Sequence, residues 1–474
     1  MCSSDLGDRL ELGGIDLKRA PESVTGRCIG YVGSPAYLFP ARVRDNVLYG
    51  LKHRPVRPAP AAEGERAAFD VREAERTGNS TLDISAEWID YEAAGCSGPE
   101  DIEKRIVELL QVVDLEETIF ELGLRSRAQK HAGKDVAEQL LAARESMRQR
   151  LEKLGIKDWV EHWHPSQYNR NATLAENLLF GTPVGRTFDV DNLAANSYMR
   201  RVLRETALDE LLLRTGHKVA ETMVELFSGL PPGHEFFGQY SFINQDDLPQ
   251  FEAILKRAGE VGLKQLSEAE RNSLVGLTFP LSAARHRLGL IDENFEARVL
   301  EARRHFAETL PGELQGAVEF FDPAGYNGAA TLQDNILFGK IVTGQAGAVE
   351  RITQLVRELA DELGLRTMVV RNGLDFQVGV GGARLTQPDR QKVAIVRALL
   401  KRPALLVLEQ AAAVLDAASQ ARVVDGVLKE RKGQAVVWAL SREEFAQRFH
   451  VVLVMERGRL VEKGAFAELK RKTG

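Results

Sequence analysis

His162 and His164 stand one residue apart beside Glu161, and imidazoles so spaced can begin a metal site. No third ligand follows at a workable spacing, so the pair reads as structural or surface histidines. Asp246-Asp247 precede Leu248-Pro249; acids there favour the positive end of a helix dipole and mark a helix start rather than a cation site. Cys2, Cys28 and Cys96 include no CxxC pair, which supports neither a disulfide framework nor a cysteine-ligated zinc and suits a reducing cytoplasm. Trp88, Trp159, Trp163 and Trp438 share no spacing and read as core, and the charged stretch 144–153 reads as a solvated helix face.

The elements that must position any chemistry come from a chain of 474 residues, 44% hydrophobic and 27% charged, values that exclude a disordered or fibrous protein. A formal net charge of −6 excludes a dedicated nucleic-acid binder, which needs a basic face. At roughly 150 residues per domain, about three units are expected. Apolar runs such as 404–408 and 411–415, separated by Glu409 and Gln410, fall far short of the ~20 residues of a membrane span.

The stretch 51–68 is rich in Pro, Arg and Ala and reads as an exposed linker. Helical spacing of apolar residues covers 101–121, 133–154 and 192–213, and Ser267 with Glu270 has the form of a capping box. From residue 404 the pattern changes to short apolar runs (404–408, 435–440, 451–455) alternating with a helical stretch at 417–430, which predicts an α/β sandwich with a largely parallel sheet. A fourteen-residue motif occurs three times: YLFPARVRDNVLYG at 37–50, YNRNATLAENLLFG at 168–181 and YNGAATLQDNILFG at 326–339. It predicts a loop entering a short helix, capped by Thr173 with Glu176 or Thr331 with Asp334 and ended by glycine. Its irregular spacing argues against a stacked solenoid.

These residues resemble a known family, the nucleotide-binding domain of exporter-type ATP-binding cassette transporters. Cys28-Ile29-Gly30-Tyr31-Val32, Leu38-Phe39 and Asp45-Asn46-Val47-Leu48-Tyr49-Gly50 are similar to its strand, Q-loop and following helix. Val378-Gly379 and 390–400 resemble the signature region, 405–416 the Walker B strand and D-loop, and 451–464 the closing strands. The family's P-loop wraps phosphates with backbone N–H groups and a Lys. No GxxxxGK[ST] occurs in this chain, and its place falls upstream of Gly7. Met1–Leu6 contains Cys-Ser-Ser-Asp-Leu, which one reading frame of a common sequencing adapter encodes, so the gene is expected to run further upstream.

The resemblance assigns the remaining positions one by one. Ser34 stands where the family has the Q-loop Gln. The signature Leu-Ser-Gly-Gly-Gln becomes Leu385-Thr386-Gln387-Pro388-Asp389, losing two glycines and an N–H and gaining a negative charge where a partner's γ-phosphate would sit. Glu409 takes the place of the Asp that supports Mg²⁺, one methylene longer. Gln410 replaces the general base and cannot accept a proton at neutral pH. Ser441 replaces the switch His, and Asp416 of the D-loop is retained.

The implied fold is α/β, a P-loop-NTPase-like cassette ATPase sandwich lacking its P-loop, with a large mainly helical insertion. The expected boundaries are 1–51 for the N-terminal part through the Q-loop-like region, 52–67 for the linker, 68–320 for the insertion and 321–474 for the C-terminal part. The implied function is the cytoplasmic subunit or fragment of an exporter, at the cytoplasmic face of the plasma membrane, coupling ATP binding to transport while impaired in hydrolysis. ATP and Mg²⁺ are the implied cofactors, and a transmembrane domain and a second nucleotide-binding domain the implied partners, with no nucleic acid. The alternative is a nucleotide-independent pseudo-domain serving as a regulatory scaffold.

Overall fold

The computed structural model describes residues 11–57, 65–127, 134–229, 243 and 245–470, so Met1–Leu6 and Pro58 and Pro60 of the linker stretch lie outside the described residues. The chain forms two compact units, one from Met1–Gly123 with Met368–Gly474, the other Leu124–Thr367.

The first unit is mixed helix and sheet. Strands β1 (Glu11–Leu12) and β2 (Ile15–Asp16) form a small hairpin. β3 (Ile29–Val32) begins the main sheet, and β4 (Lys52–Arg57) pairs antiparallel with β5 (Glu87–Ile89), so the stretch read as a linker starts as a strand. In the second unit lie β6 (Val160–His162), β7 (Gly181–Pro183), β8 (Val318–Phe320) and β9 (Gly339–Ile341). Back in the first unit are β10 (Leu405–Glu409), β11 (Ala435–Ala439), β12 (Val452–Glu456) and β13 (Arg459–Gly464).

The main sheet runs β11-β10-β3 and is parallel throughout, as the runs 404–408 and 435–440 predicted, whereas the run 451–455 does not join it. Leu406 and Leu408 are fully buried on one face, while Tyr31 and Val437 are exposed on the other, at 61% and 54%. β12 and β13 make a separate antiparallel hairpin. Helix Gln387–Leu400 is buried along most of its length and supplies much of the unit's core.

The helical stretches 101–121 and 192–213 each break in the middle. Helix Pro99–Val112 stops before Asp114 (φ 56°), helix Ser197–Glu205 before Ala207 (φ 53°) and helix Ala348–Glu362 before Gly364 (φ 68°). In each case the next residue, Leu115, Leu208 or Leu365, returns its N–H to the helix, onto the carbonyls of Leu110 (2.9 Å), Leu203 (2.8 Å) and Ala360 (2.7 Å). These are left-handed C-terminal caps, and each buried leucine opens a second helix: Glu116–Leu124, Asp209–Phe227 and Arg366–Leu374. The repeat therefore extends well beyond fourteen residues.

Its long-range half is an arginine. Asn46, Asn177 and Asn335 are buried in the three short helices Val43–Leu48, Leu174–Leu179 and Leu332–Leu337. Each amide donates to its own loop, on Phe39 O (3.0 Å), Asn169 O (2.8 Å) and Asn327 O (2.7 Å). A distant arginine then grips the asparagine's carbonyl: Arg397 Nε on Asn46 O (2.7 Å), Arg303 Nε on Asn177 O (2.6 Å) and Arg144 Nε on Asn335 O (2.8 Å). Each guanidinium also lies over an aromatic ring, Phe39, Phe180 and Phe338 respectively. The reading of 144–153 as a purely solvated face fails at Arg144 for this reason.

In the second unit, copies two and three of the motif face each other. β6 pairs with β9 and β7 with β8, both antiparallel, and Trp163 stacks on Phe321 at 4.4 Å. Lys340 on β9 joins the two helix starts, bonding Glu176 (2.8 Å) and Asp334 (3.1 Å). Burial alone would lower its pKa, but the two carboxylates outweigh that and hold the ammonium above its usual value. A raised pKa makes this contribution complete below the unfolded lysine's pKa and lost only as pH rises past the folded value. Lys340→Met is expected to destabilise the second unit by about 2 kcal/mol, because two carboxylates are left facing each other. Urea titrations should give the same difference at pH 7 and pH 9; a difference that vanished by pH 9 would contradict the assignment.

Candidate functional site

The positions assigned by resemblance fall in the first unit, where two strand ends and one loop carry most of them. β10 ends at Glu409, and the Tyr31 hydroxyl on neighbouring β3 donates to its carboxylate. The bond to Glu409, with lesser help from burial and the carboxylate's charge, pushes the Tyr31 hydroxyl pKa up. Gln410 follows with φ 49°, a left-handed conformation unusual for a side-chain-bearing residue, and its N–H bonds Ala439 O at 3.0 Å, tying it to the end of β11. Ser441, two residues past that carbonyl, accepts a bond from Gln420 Nε2 at 3.3 Å. Gln420 projects from helix Ala417–Glu430, whose N-cap is Asp416. The Asp416 carboxylate accepts the Ser419 N–H (2.9 Å), and the Ser419 bonds hold its pKa down to about 2.

Ser34 lies in the loop after β3. That loop is held by Gln391, fully buried on helix Gln387–Leu400, which donates to Gly33 O (2.8 Å) and accepts from Ala36 N–H (3.1 Å). Ser34 and Glu409 line one open cleft of about 390 Å³ together with Tyr31, Ala394 and Arg397. Gln391 escaped the sequence reading; its signal is a polar residue inside an otherwise apolar helix stripe.

The signature-like segment is built differently. Leu385 is buried and anchors it, Gln387 is exposed, and Pro388 occupies the first turn of the helix. Thr386 is the N-cap: its hydroxyl accepts the Asp389 N–H (3.3 Å) and donates to the Asp389 carboxylate (2.5 Å). The end of a helix that could attract an anion thus already holds a negative charge from its own first turn. None of 385–389 lines the cleft beside Glu409.

As donors for a divalent cation, Glu409 supplies one carboxylate, already engaged by Tyr31, and no group of three His, Cys, Asp or Glu able to hold a metal ion occurs among the described residues. His162 and His164 are spent locally: His162 Nδ1 lies 3.1 Å from Leu337 O, and His164 Nδ1 accepts from Ser166. Among the described residues no helix is long and apolar enough to cross a membrane.

No family model matches the chain. Among curated proteins it is 31% identical over 178 residues to the ATP-dependent lipid A-core flippase of Pseudomonas fluorescens, covering 37% of this chain and 27% of that protein. It is 33% identical over 151 residues to the heterocyst differentiation ATP-binding protein HepA of a Nostoc species, covering 31% and 25%. With the beta-(1→2)glucan export ATP-binding/permease protein NdvA of Rhizobium meliloti it shares 40% over 103 residues, covering 22% and 18%. The chain thus spans about a quarter of the length of these relatives. A solved bacterial Atm1-family exporter with ATP bound covers 79% of this chain and 85% of its own, at 15% identity and a TM-score of 0.22, a likeness too weak to carry an argument. Over 22–37% of its length the chain is thus similar to ATP-binding cassette proteins, and these matches support an exporter-type cassette domain.

Proposed function

We propose that this chain is the nucleotide-facing part of a membrane exporter in which its cassette contributes binding surface and little hydrolysis. The observation that carries the reading is the end of β10: an amide, Gln410, follows a carboxylate, Glu409, that is already bonded by Tyr31. An amide cannot take the proton of an attacking water. ATP with Mg²⁺ is the cofactor this reading implies. Glu409 is the residue placed to support the metal, and Mg²⁺ ordinarily completes its shell with substrate phosphates and water rather than protein groups. The residues present fit that role only in part, and phosphate clamping requires a P-loop that is not in these 474 residues. Ser34 and the 385–389 segment then serve as contact surface toward a second cassette, and Asp416 orders the helix behind Gln410.

The transport side of the reading rests on the exporter relatives and predicts a partner with membrane-spanning helices, on the cytoplasmic face of the membrane. Fractionation of cells making the tagged chain, followed by cross-linking, is expected to recover it with the membrane fraction attached to a multi-span protein. Recovery wholly in the soluble fraction with no such partner would remove the transporter reading. The second reading, a scaffold without a nucleotide role, is favoured by Asp389 at the start of the signature-like helix. In that case MgATP leaves the cross-linking pattern unchanged.

A further inference from the structure

The first unit is discontinuous: its two segments flank the contiguous unit Leu124–Thr367. The contacts that close it join one segment to the other. β3 pairs with β10, Gln391 clasps Gly33 and Ala36, Arg397 grips Asn46, and helix Glu116–Leu124 crosses helix Arg366–Leu374. The crossing is intimate and reciprocal: a Cβ on Gly123 would meet Val369 O at 1.9 Å, and one on Gly373 would meet Ile119 O at 1.9 Å. The points where the chain leaves the unit and returns to it are therefore in contact.

Within the chain, the first and third repeats are each latched by the arginine helix that follows the other. The helix bearing Arg144 follows copy one in sequence, yet Arg144 grips Asn335 of copy three. The helix bearing Arg397 follows copy three, yet Arg397 grips Asn46 of copy one. Copy two keeps its own, Arg303 on Asn177. Since all three arginines make the same bond to the same element, the latch itself does not distinguish one copy from another.

We propose that the two segments of the first unit also close between two molecules, the N-terminal segment of one chain accepting the C-terminal segment of a second copy, and the reverse. Such an exchanged dimer remakes the β3–β10 pairing, the Gln391 clasp and the Arg397 grip between two chains, and opens only where helices Glu116–Leu124 and Arg366–Leu374 run into the contiguous unit. What separates the two states is the effective concentration of the covalently linked segment. The contiguous unit needs no opening in either state.

Full-length chains carrying two different tags, unfolded together in denaturant and refolded at about 1 μM and about 10 μM, test this by gel filtration with light scattering. The dimer-to-monomer ratio is expected to rise about tenfold, with both tags in one dimer that persists on dilution and separates only on renewed unfolding. Monomer alone at both concentrations, or a dimer that falls apart on simple dilution, would overturn the proposal. If refolding yields precipitate, co-expression of the two tagged chains decides: one dimer bearing both tags supports the exchange, and singly tagged monomers refute it.

Discussion

Arg303→Ala is expected to destabilise the second unit by about 3–5 kcal/mol, the scale for breaking a buried, fully bonded charge. Arg303 is 4% exposed, and its guanidinium meets five acceptors: Asn177 O and Oδ1 (2.6 and 2.9 Å) and the carbonyls of His164 (3.2 Å), Pro165 (3.1 Å) and Gln167 (3.0 Å). Burial pulls its pKa down to about 10, which still leaves it charged at neutral pH. Alanine removes the donors and strands carbonyls that the loop 164–169 cannot turn to water without opening. Lysine does not rescue, because a single ammonium cannot span acceptors arranged for a planar fork. In thermal melts the second-unit transition should fall by roughly 10 °C; a fall under ~2 °C would show that the latch is incidental.

Gly373→Ala should destabilise the first unit comparably, by about 3 kcal/mol or more, for a steric reason. Alanine is intrinsically the better helix former by about 1 kcal/mol, so any loss measures the clash of its Cβ with the backbone of Ile119. Gly123→Ala meets the same obstacle at Val369, and because both changes open one crossing, the double variant should cost less than the sum. Gly259→Ala is the control: it lies in helix Leu248–Val261 with nothing within 4 Å of a Cβ, and should be neutral or slightly stabilising. Denaturant midpoints check all four. Equal behaviour of Gly373→Ala and Gly259→Ala would remove the crossing from the account.

Much of the local structure was legible because its causes are local. The apolar runs at 404–408 and 435–440 gave parallel strands, the Thr173 and Thr331 caps appear as read, and Ser267 with Glu270 forms its capping box. The breaks at Asp114 and Ala207 were not legible, since neither residue is glycine and the left-handed cap is imposed by burying Leu115 and Leu208. The arginine latches were invisible for a different reason: Arg144 and Arg397 lie 191 and 351 residues from their asparagines, and a surface helix with an arginine looks the same in sequence whether or not that arginine turns inward. At the candidate site, the resemblance alone assigns the positions. The Tyr31–Glu409 bond, the Gln391 clasp and the Asp389 self-cap needed three dimensions, because each depends on which strand or turn lies alongside.

The most direct test of the central claim is steady-state ATP turnover by the purified chain with Mg²⁺, beside the Gln410→Glu variant that restores a carboxylate at the end of β10. The account predicts that both stay at background, since one carboxylate replaces neither the P-loop nor the signature and switch residues. Turnover by the native chain near 1 s⁻¹, the lower end of ordinary enzyme rates, would contradict it.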